Sequence, residues 1–215
     1  MENSMPQSVV HVYLGETVSH LQERWRESDR KTLRRIFPLL ANGARLNAGE
    51  IALQLDLSEG IVDQALSDPK IGRDSGGCLT ELFGLMFAPT LQRIEIDRRV
   101  LFACCALVAQ TLPRLTGKSI KIESVDPISR QSVYLDLDQS GLVSVNPPEA
   151  FASMVRTEPQ ALAENTAEAL CNHARHFVSE ETAREFAGRH ADRYVVSLEE
   201  LQETAQQVCR VVWDC

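Results

Sequence analysis

The chain has 215 residues, 44% hydrophobic and 24% charged, enough apolar material for one compact domain or a domain with a small module attached, which excludes a disordered, charge-dominated chain. A net charge of -8 argues against a protein that holds nucleic acid by bulk electrostatics. No stretch approaches the about 20 apolar residues that span a bilayer, and Met1 to Gln7 has neither a basic nor an apolar leader region, so a cytoplasmic location with no membrane partner is the expectation.

Residues 15–40 have helical spacing, with Trp25, Leu33, Ile36, Phe37 and Leu40 as candidate buried positions and Asn42-Gly43 as the stop. Residues 48–55 and 59–66 read as two short helices around Asp56-Leu57-Ser58, the rhythm of a helix-turn-helix. After a glycine-bearing connection, residues 82–87 and 92–96 alternate as two strands around Ala88-Pro89-Thr90. Together these predict a winged-helix module ending near Ile96. Residues 97–115 read as a buried helix, apolar in its centre and stopped by Pro113 and Gly117. Strands are expected at 119–124 and 132–138 around Asp126-Pro127, at 141–145 before Asn146-Pro147-Pro148, and at 150–156. Residues 159–170 fit no single element. Residues 180–189 form a helix capped by Ser179, residues 194–196 are β-prone, and Ser197 with Glu200 opens a last amphipathic helix through a capping box. The class expected is α+β, with a winged-helix domain at 1–96 and a mixed-sheet domain with flanking helices at 97–215.

Three groups of residues bear on function. Residues 59–68, the second short helix and its end, contain Glu59, Asp63 and Asp68 and no Arg or Lys, so phosphate would be repelled and nucleic acid is not an expected partner. The basic residues Arg24, Arg26, Arg30, Lys31, Arg34 and Arg35 fit a solvated helix face, although a metal-responsive DNA-binding regulator would also use them. The six cysteines, Cys78, Cys104, Cys105, Cys171, Cys209 and Cys215, in a reducing compartment are free thiols or ligands rather than a disulfide framework. Cys104-Cys105 lies in an apolar run, where a cysteine is either inert packing or a shielded thiolate. If both sat on a helix they would point about 100° apart, leaving one to act and one to pack. Cys171-Asn172-His173-Ala174-Arg175-His176 surrounds a cysteine with cationic or potentially cationic groups that lower a thiol pKa. The same run could supply zinc ligands, or carry only surface or hydrogen-bonded histidines.

Asp97-Arg98-Arg99, then Leu101-Phe102-Ala103-Cys104-Cys105-Ala106-Leu107 and Leu112-Pro113, resemble the alkylmercury (organomercurial) lyase family, whose segment reads close to D-R-R-L-x-A-x-C-A-L-D-T-L-x-F-P. Cys171-x-His173 followed by Phe177 resembles the family's second cysteine segment, C-x-H-x-x-x-F. The resemblance covers roughly residues 28–212. It implies capture of the mercury of R–Hg–X by Cys105 and Cys171 and protonation of the leaving carbon, giving a hydrocarbon and Hg(II) that passes to low-molecular-weight thiols. Mercury is then substrate, and no resident cofactor is expected. The chain departs from the family where C-A-L-D ends in an acid: here the residue is Val108, which cannot donate a proton. Asp126, Cys104 and His173 are candidates for a substitute donor or a third ligand. A non-catalytic thiol binder or sensor of mercury or another soft metal or metalloid is the alternative. Cys78, Cys209 and Cys215 have no assigned role.

Overall fold

The computed structural model describes residues 6–24, 27–68 and 71–213. Trp25, Arg26 and Cys215, singled out above, lie outside the described residues. Among those described, no helix is long and apolar enough to cross a membrane.

Four helices open the chain: α1 (Gln7–Arg24), α2 (Glu27–Ala41), α3 (Ala48–Leu55) and α4 (Glu59–Ala65). The helical region begins well before Gly15, because Val10, Leu14, Val18 and Leu21 form a buried stripe at helical spacing that turns α1 inward. On α2 the expected Leu33, Ile36, Phe37 and Leu40 are buried. The turn after it places Gly43 at φ 77, in the left-handed region that glycine enters without steric cost. Asn47 and Glu50 close a reciprocal capping box on α3. Part of the basic cluster serves the backbone, since Arg30 donates to the carbonyl of Val212 (2.9 Å) and Arg35 to that of Leu55 (2.6 Å).

Two antiparallel sheets follow. The larger contains β1 (Gly72–Arg73), β2 (Leu79–Leu82), β3 (Leu85–Met86), β4 (Gln92–Ile96), β5 (Arg99–Ala103), β6 (Ile120–Val125), β7 (Ser132–Asp138) and β8 (Gly141–Asn146), in the order β1-β2-β3-β5-β4-β6-β7-β8. The smaller has β9 (Phe151–Val155) between β10 (Arg175–Phe177) and β11 (Arg193–Ser197). Among the described residues every strand pairing runs antiparallel rather than mixed, as hairpin connections between neighbours in the larger sheet favour. Helix α5 (Ala106–Thr116) covers the larger sheet and packs on α8 (Leu198–Val208), α7 (Glu180–Ala187) flanks the smaller one, and α6 (Pro159–Glu164) packs on α1.

Two expectations are corrected here. The span 97–115 is not one helix: β5 precedes a bend, and only Ala106–Thr116 is helical. Leu101 and Ala103 alternate inward, and Asp97 (φ 49) and Arg98 (φ 65) form a two-residue hairpin turn with both φ positive, the geometry whose twist matches paired strands. The helix runs through Pro113 and stops at Gly117, whose N–H donates to the Pro113 carbonyl (2.9 Å). The strands around Ala88-Pro89-Thr90 do not pair with each other, because β5 inserts between β3 and β4 and bonds to both. The hairpin beside the α3–α4 pair is instead β2–β3, turning at Phe83-Gly84. The position 96/97 thus falls inside the β4–β5 hairpin of a continuous sheet.

Ile94 lies fully buried in β4 under α5, whereas Ser197 caps α8 by accepting from the Glu200 N–H. Ile94→Ala should cost about 2–5 kcal/mol through lost transfer energy and a residual cavity, and Ser197→Ala about 1 kcal/mol through one lost cap. Urea unfolding checks the order; a larger loss at Ser197 would place the main core elsewhere.

Candidate functional site

Cys104 and Cys105 occupy the bend between β5 and α5, so they are not helical neighbours and need not point apart. Cys105 is the N-cap residue of α5, with extended backbone (φ −156, ψ 171). The Cys104 N–H donates to the Gly84 carbonyl (2.8 Å), and the Ala106 N–H donates to the Ala174 carbonyl (3.0 Å). These two bonds hold the bend between the β2–β3 turn and the segment that follows Cys171. Cys171 ends a π-helical turn, Ala167–Cys171, a local geometry that often marks functional positions.

The three sulfurs converge. Cys104 Sγ lies 3.2 Å from Cys171 Sγ and 3.7 Å from Cys105 Sγ, and all three fall within 4.8 Å of one another. Cys104 and Cys171 line a cavity of about 460 Å³, and Cys105 is fully buried behind them. Leu21, Phe83, Leu107, Val108 and Trp213 give that cavity a mainly apolar wall. The Phe83 and Trp213 rings meet at 3.8 Å between centroids. Arg30 steadies the terminal segment that carries Trp213 by bonding the Val211 and Val212 carbonyls.

A buried trio of thiols cannot all ionise, since like charges in one low-dielectric place repel strongly. Thiol hydrogen bonds from Cys104 and Cys171 hold Cys105 well below the ordinary thiol range, with the Arg175 charge adding to the effect against burial. Donation to Cys105 and Cys171, and then burial, push Cys104 well above that range. For Cys171 the hydrogen bond from Cys104 lowers the pKa, but donation to Cys105, burial and the Cys105 charge together carry it well above. Within the trio the thiolate form is thereby favoured at Cys105 and disfavoured at Cys104 and Cys171. Arg175, from β10, donates to the Cys104 carbonyl (3.3 Å) and is the cation nearest this charge in effect.

The other candidate residues lie outside the cavity lining. Asp126 is buried, but its Oδ1 accepts from the Ile128 and Ser129 N–H groups (2.7 and 3.1 Å) and its Oδ2 from the Val178 N–H (3.1 Å). Those bonds make it the tie between the β6–β7 turn and β10. His173 is half-buried, accepts at Nδ1 from Arg193 Nε (2.7 Å) and stacks beside His190. Burial and the Arg193 charge lower its pKa, leaving it neutral. His176 is fully buried between Gln92 (3.0 Å) and Gln110 (3.3 Å), and burial drives its pKa down to about 3. Among the described residues the convergent metal-binding group is the cysteine trio, with neither histidine in it. Cys209 is buried with its Sγ 3.5 Å from the Thr111 carbonyl, and Cys78 is half-buried. Val108 lines the cavity next to Cys104. Glu81, Phe83 and Gly84 of the β2–β3 hairpin and Trp213 of the terminal turn also line it; they share no motif, and the strand register and the Phe83–Trp213 contact bring them together.

A family model described as alkylmercury lyase matches residues 85–210. The alkylmercury lyase of Staphylococcus epidermidis is 28% identical over 176 residues, covering 81% of this chain and 80% of its own length. That of Bacillus cereus is 28% identical over 178 residues, covering 82% and 80%. A crystal structure of the mercury-bound form of MerB2 superposes with a TM-score of 0.76 over 94% of this chain and 99% of that one, at 19% identity, which speaks to the fold alone. With more than half of its length matched by that model, and with two relatives aligned across four-fifths of it, the chain belongs to the alkylmercury lyase family.

Proposed function

We propose that this protein cleaves the carbon–mercury bond of organomercurials, R–Hg–X, using Cys105 and Cys171 to hold the mercury. The observation that carries the reading is the convergence of three sulfurs, two of which line an apolar cavity. Mercury is a soft ion that prefers thiolate to oxygen or nitrogen, and a trio of sulfurs without histidine suits it. The apolar wall formed by Leu21, Phe83 and Trp213 suits the organic group R. Each added thiolate pushes electron density onto the metal and makes the bound carbon more basic, so that a proton donor completes the reaction. Cys104 is close enough to both partners to join the same ion, and acts as a third sulfur toward the Hg(II) product until external thiols remove it.

A non-catalytic binder of mercury is the second reading. It is favoured by Val108, whose side chain stands in the cavity at the place where the family motif carries an acid. Incubation with phenylmercury and excess thiol separates the two: hydrocarbon release over many turnovers supports the lyase, and stoichiometric binding without hydrocarbon supports the binder.

Cys105→Ser and Cys171→Ser should each abolish tight Hg(II) binding and turnover, whereas Cys209→Ser, remote from the trio, should keep both. Equilibrium dialysis and hydrocarbon release check this, and loss in Cys209→Ser alone would sink the assignment.

The pH dependence follows from the Cys105 thiolate. Hydrogen bonds from Cys104 and Cys171 hold its pKa below the ordinary thiol range, so the nucleophile persists to lower pH than an ordinary thiolate and is lost as pH falls through that depressed value. Mercurial capture measured by stopped flow should therefore fall on the acid side. Arg175→Gln removes a stabilising cation and should move the midpoint upward. A downward or absent shift would remove Arg175 from the site's electrostatics.

A further inference from the structure

The carbon released from mercury needs a proton, and Val108 has none to give. Within the described lining of the cavity the carboxylates are Glu81 and Glu164. Glu164 is exposed at the end of α6, where it accepts from Gln160 Nε2 (2.9 Å). Glu81 is half-buried on β2.

The strand register decides where Glu81 points. It lies opposite Gly72 of β1 on one side and opposite Met86 of β3 on the other. Residues directly opposite in antiparallel strands project to the same face. Gly72, Glu81 and Met86 all line the cavity, so this cross-strand row faces it. Gly72 also makes room for the row: a Cβ there would lie 2.7 Å from the Glu81 Cβ and 3.0 Å from Thr80 Oγ1. The same hairpin carries Gly84, whose carbonyl accepts from the Cys104 N–H (2.8 Å). The hairpin that carries Glu81 is thus tied directly to the bend that carries Cys104, and Glu81, Cys104 and Cys171 line one cavity.

We propose that Glu81 is the proton carrier for carbon–mercury cleavage in this chain, replacing from β2 the acid that the family motif places on the first turn after the cysteine. The proposal rests on the lyase reading above. The Cys105 thiolate displaces X from R–Hg–X, and X leaves with its electron pair. The Cys171 thiol bonds to mercury as its proton passes to the Glu81 carboxylate. The mercury–carbon bond then breaks with its electron pair staying on carbon, which takes that proton from Glu81. The products are R–H and S–Hg–S, mercury remains Hg(II) throughout, and Glu81 ends as a carboxylate. Cys104 is the poorer donor, since a sulfur that close to Cys171 binds the metal once its proton is gone. Asp126 and His173 line no part of the cavity.

The test is single- and multiple-turnover hydrocarbon release from phenylmercury with excess thiol, with Hg(II) binding measured in parallel. Glu81→Gln should slow release about 10²–10⁴-fold, the usual worth of a general acid, while still binding one Hg(II). Glu81→Asp should keep part of the activity. Glu81→Gln combined with Val108→Asp should regain it, because the second change restores a donor at the motif position. If Glu81→Gln does not fold, the comparison moves to Glu81→Asp, whose single-turnover pH profile should be displaced from that of the wild type. Release in Glu81→Gln within threefold of wild type, an undisplaced Glu81→Asp profile, or loss in Glu164→Gln instead would overturn the assignment and leave the lyase reading intact. A wild type that binds Hg(II) and releases no hydrocarbon would overturn both.

Discussion

The close approach of the Cys104–Cys105 bend to Gly84 is the constraint on which the site depends. A Cβ at Gly84 would sit 2.6 Å from Cys104 Sγ and 3.1 Å from a Val108 methyl, and its backbone (φ 76) already favours glycine. With no side chain there, the Cys104 N–H reaches the Gly84 carbonyl, and the end of β5 is drawn against the β2–β3 turn. On its other side the bend is held by the bond from Ala106 to Ala174. The bend has little freedom between these two anchors. A strand would have sent Cys104 and Cys105 to opposite faces and a helix would have splayed them, so the irregular junction is what lets both sulfurs approach Cys171.

That junction also sets the charge state. A lone buried thiol is pushed toward its neutral form, as desolvation penalises the anion. Three thiols in mutual reach behave differently, because two can donate to the third and share its solvation. Cys105 receives those bonds and Arg175 adds a positive charge, so ionisation is favoured at a fully buried sulfur despite its desolvation. A soft cation entering from the cavity meets Cys104 and Cys171 first and finds the charge behind them. Protons displaced from the front pair need an acceptor, and the buried His176 between its amide partners, its pKa driven down to about 3, is a poor one.

Much of this was legible in the sequence, and the failures have particular causes. The strands around Asp126-Pro127, the Ser179 cap and the Ser197–Glu200 capping box follow local rules and lie near their expected positions. Both cysteine segments were visible from their neighbours alone. Strand β5 was not, because its hairpin turns on Asp97-Arg98 instead of a glycine-bearing pair, and the apolar run into α5 masks the change of period. Asp126 drew attention as a titratable residue next to a proline, yet three backbone N–H groups already occupy its oxygens. Glu81 carries no sequence signal, because its place in the cavity lining depends on pairing with Gly72 and Met86.

This contrast bears on how a proton donor can change its place in a chain. General acid catalysis depends on where the donor stands relative to the reacting atom, with no requirement that it follow the nucleophile in sequence. Position 108 sits on the first turn of α5 and faces the cavity from the cysteine side. The Gly72–Glu81–Met86 row faces it from the sheet. The two positions share one enclosed volume, and an apolar wall raises the strength of any charge–proton interaction inside it. In the proposed arrangement a donor on the sheet side serves the reacting carbon without moving the thiols. Valine at 108 fits that arrangement sterically as well, since its methyl groups pack against the backbone at Gly84 and help to hold the bend that carries Cys104.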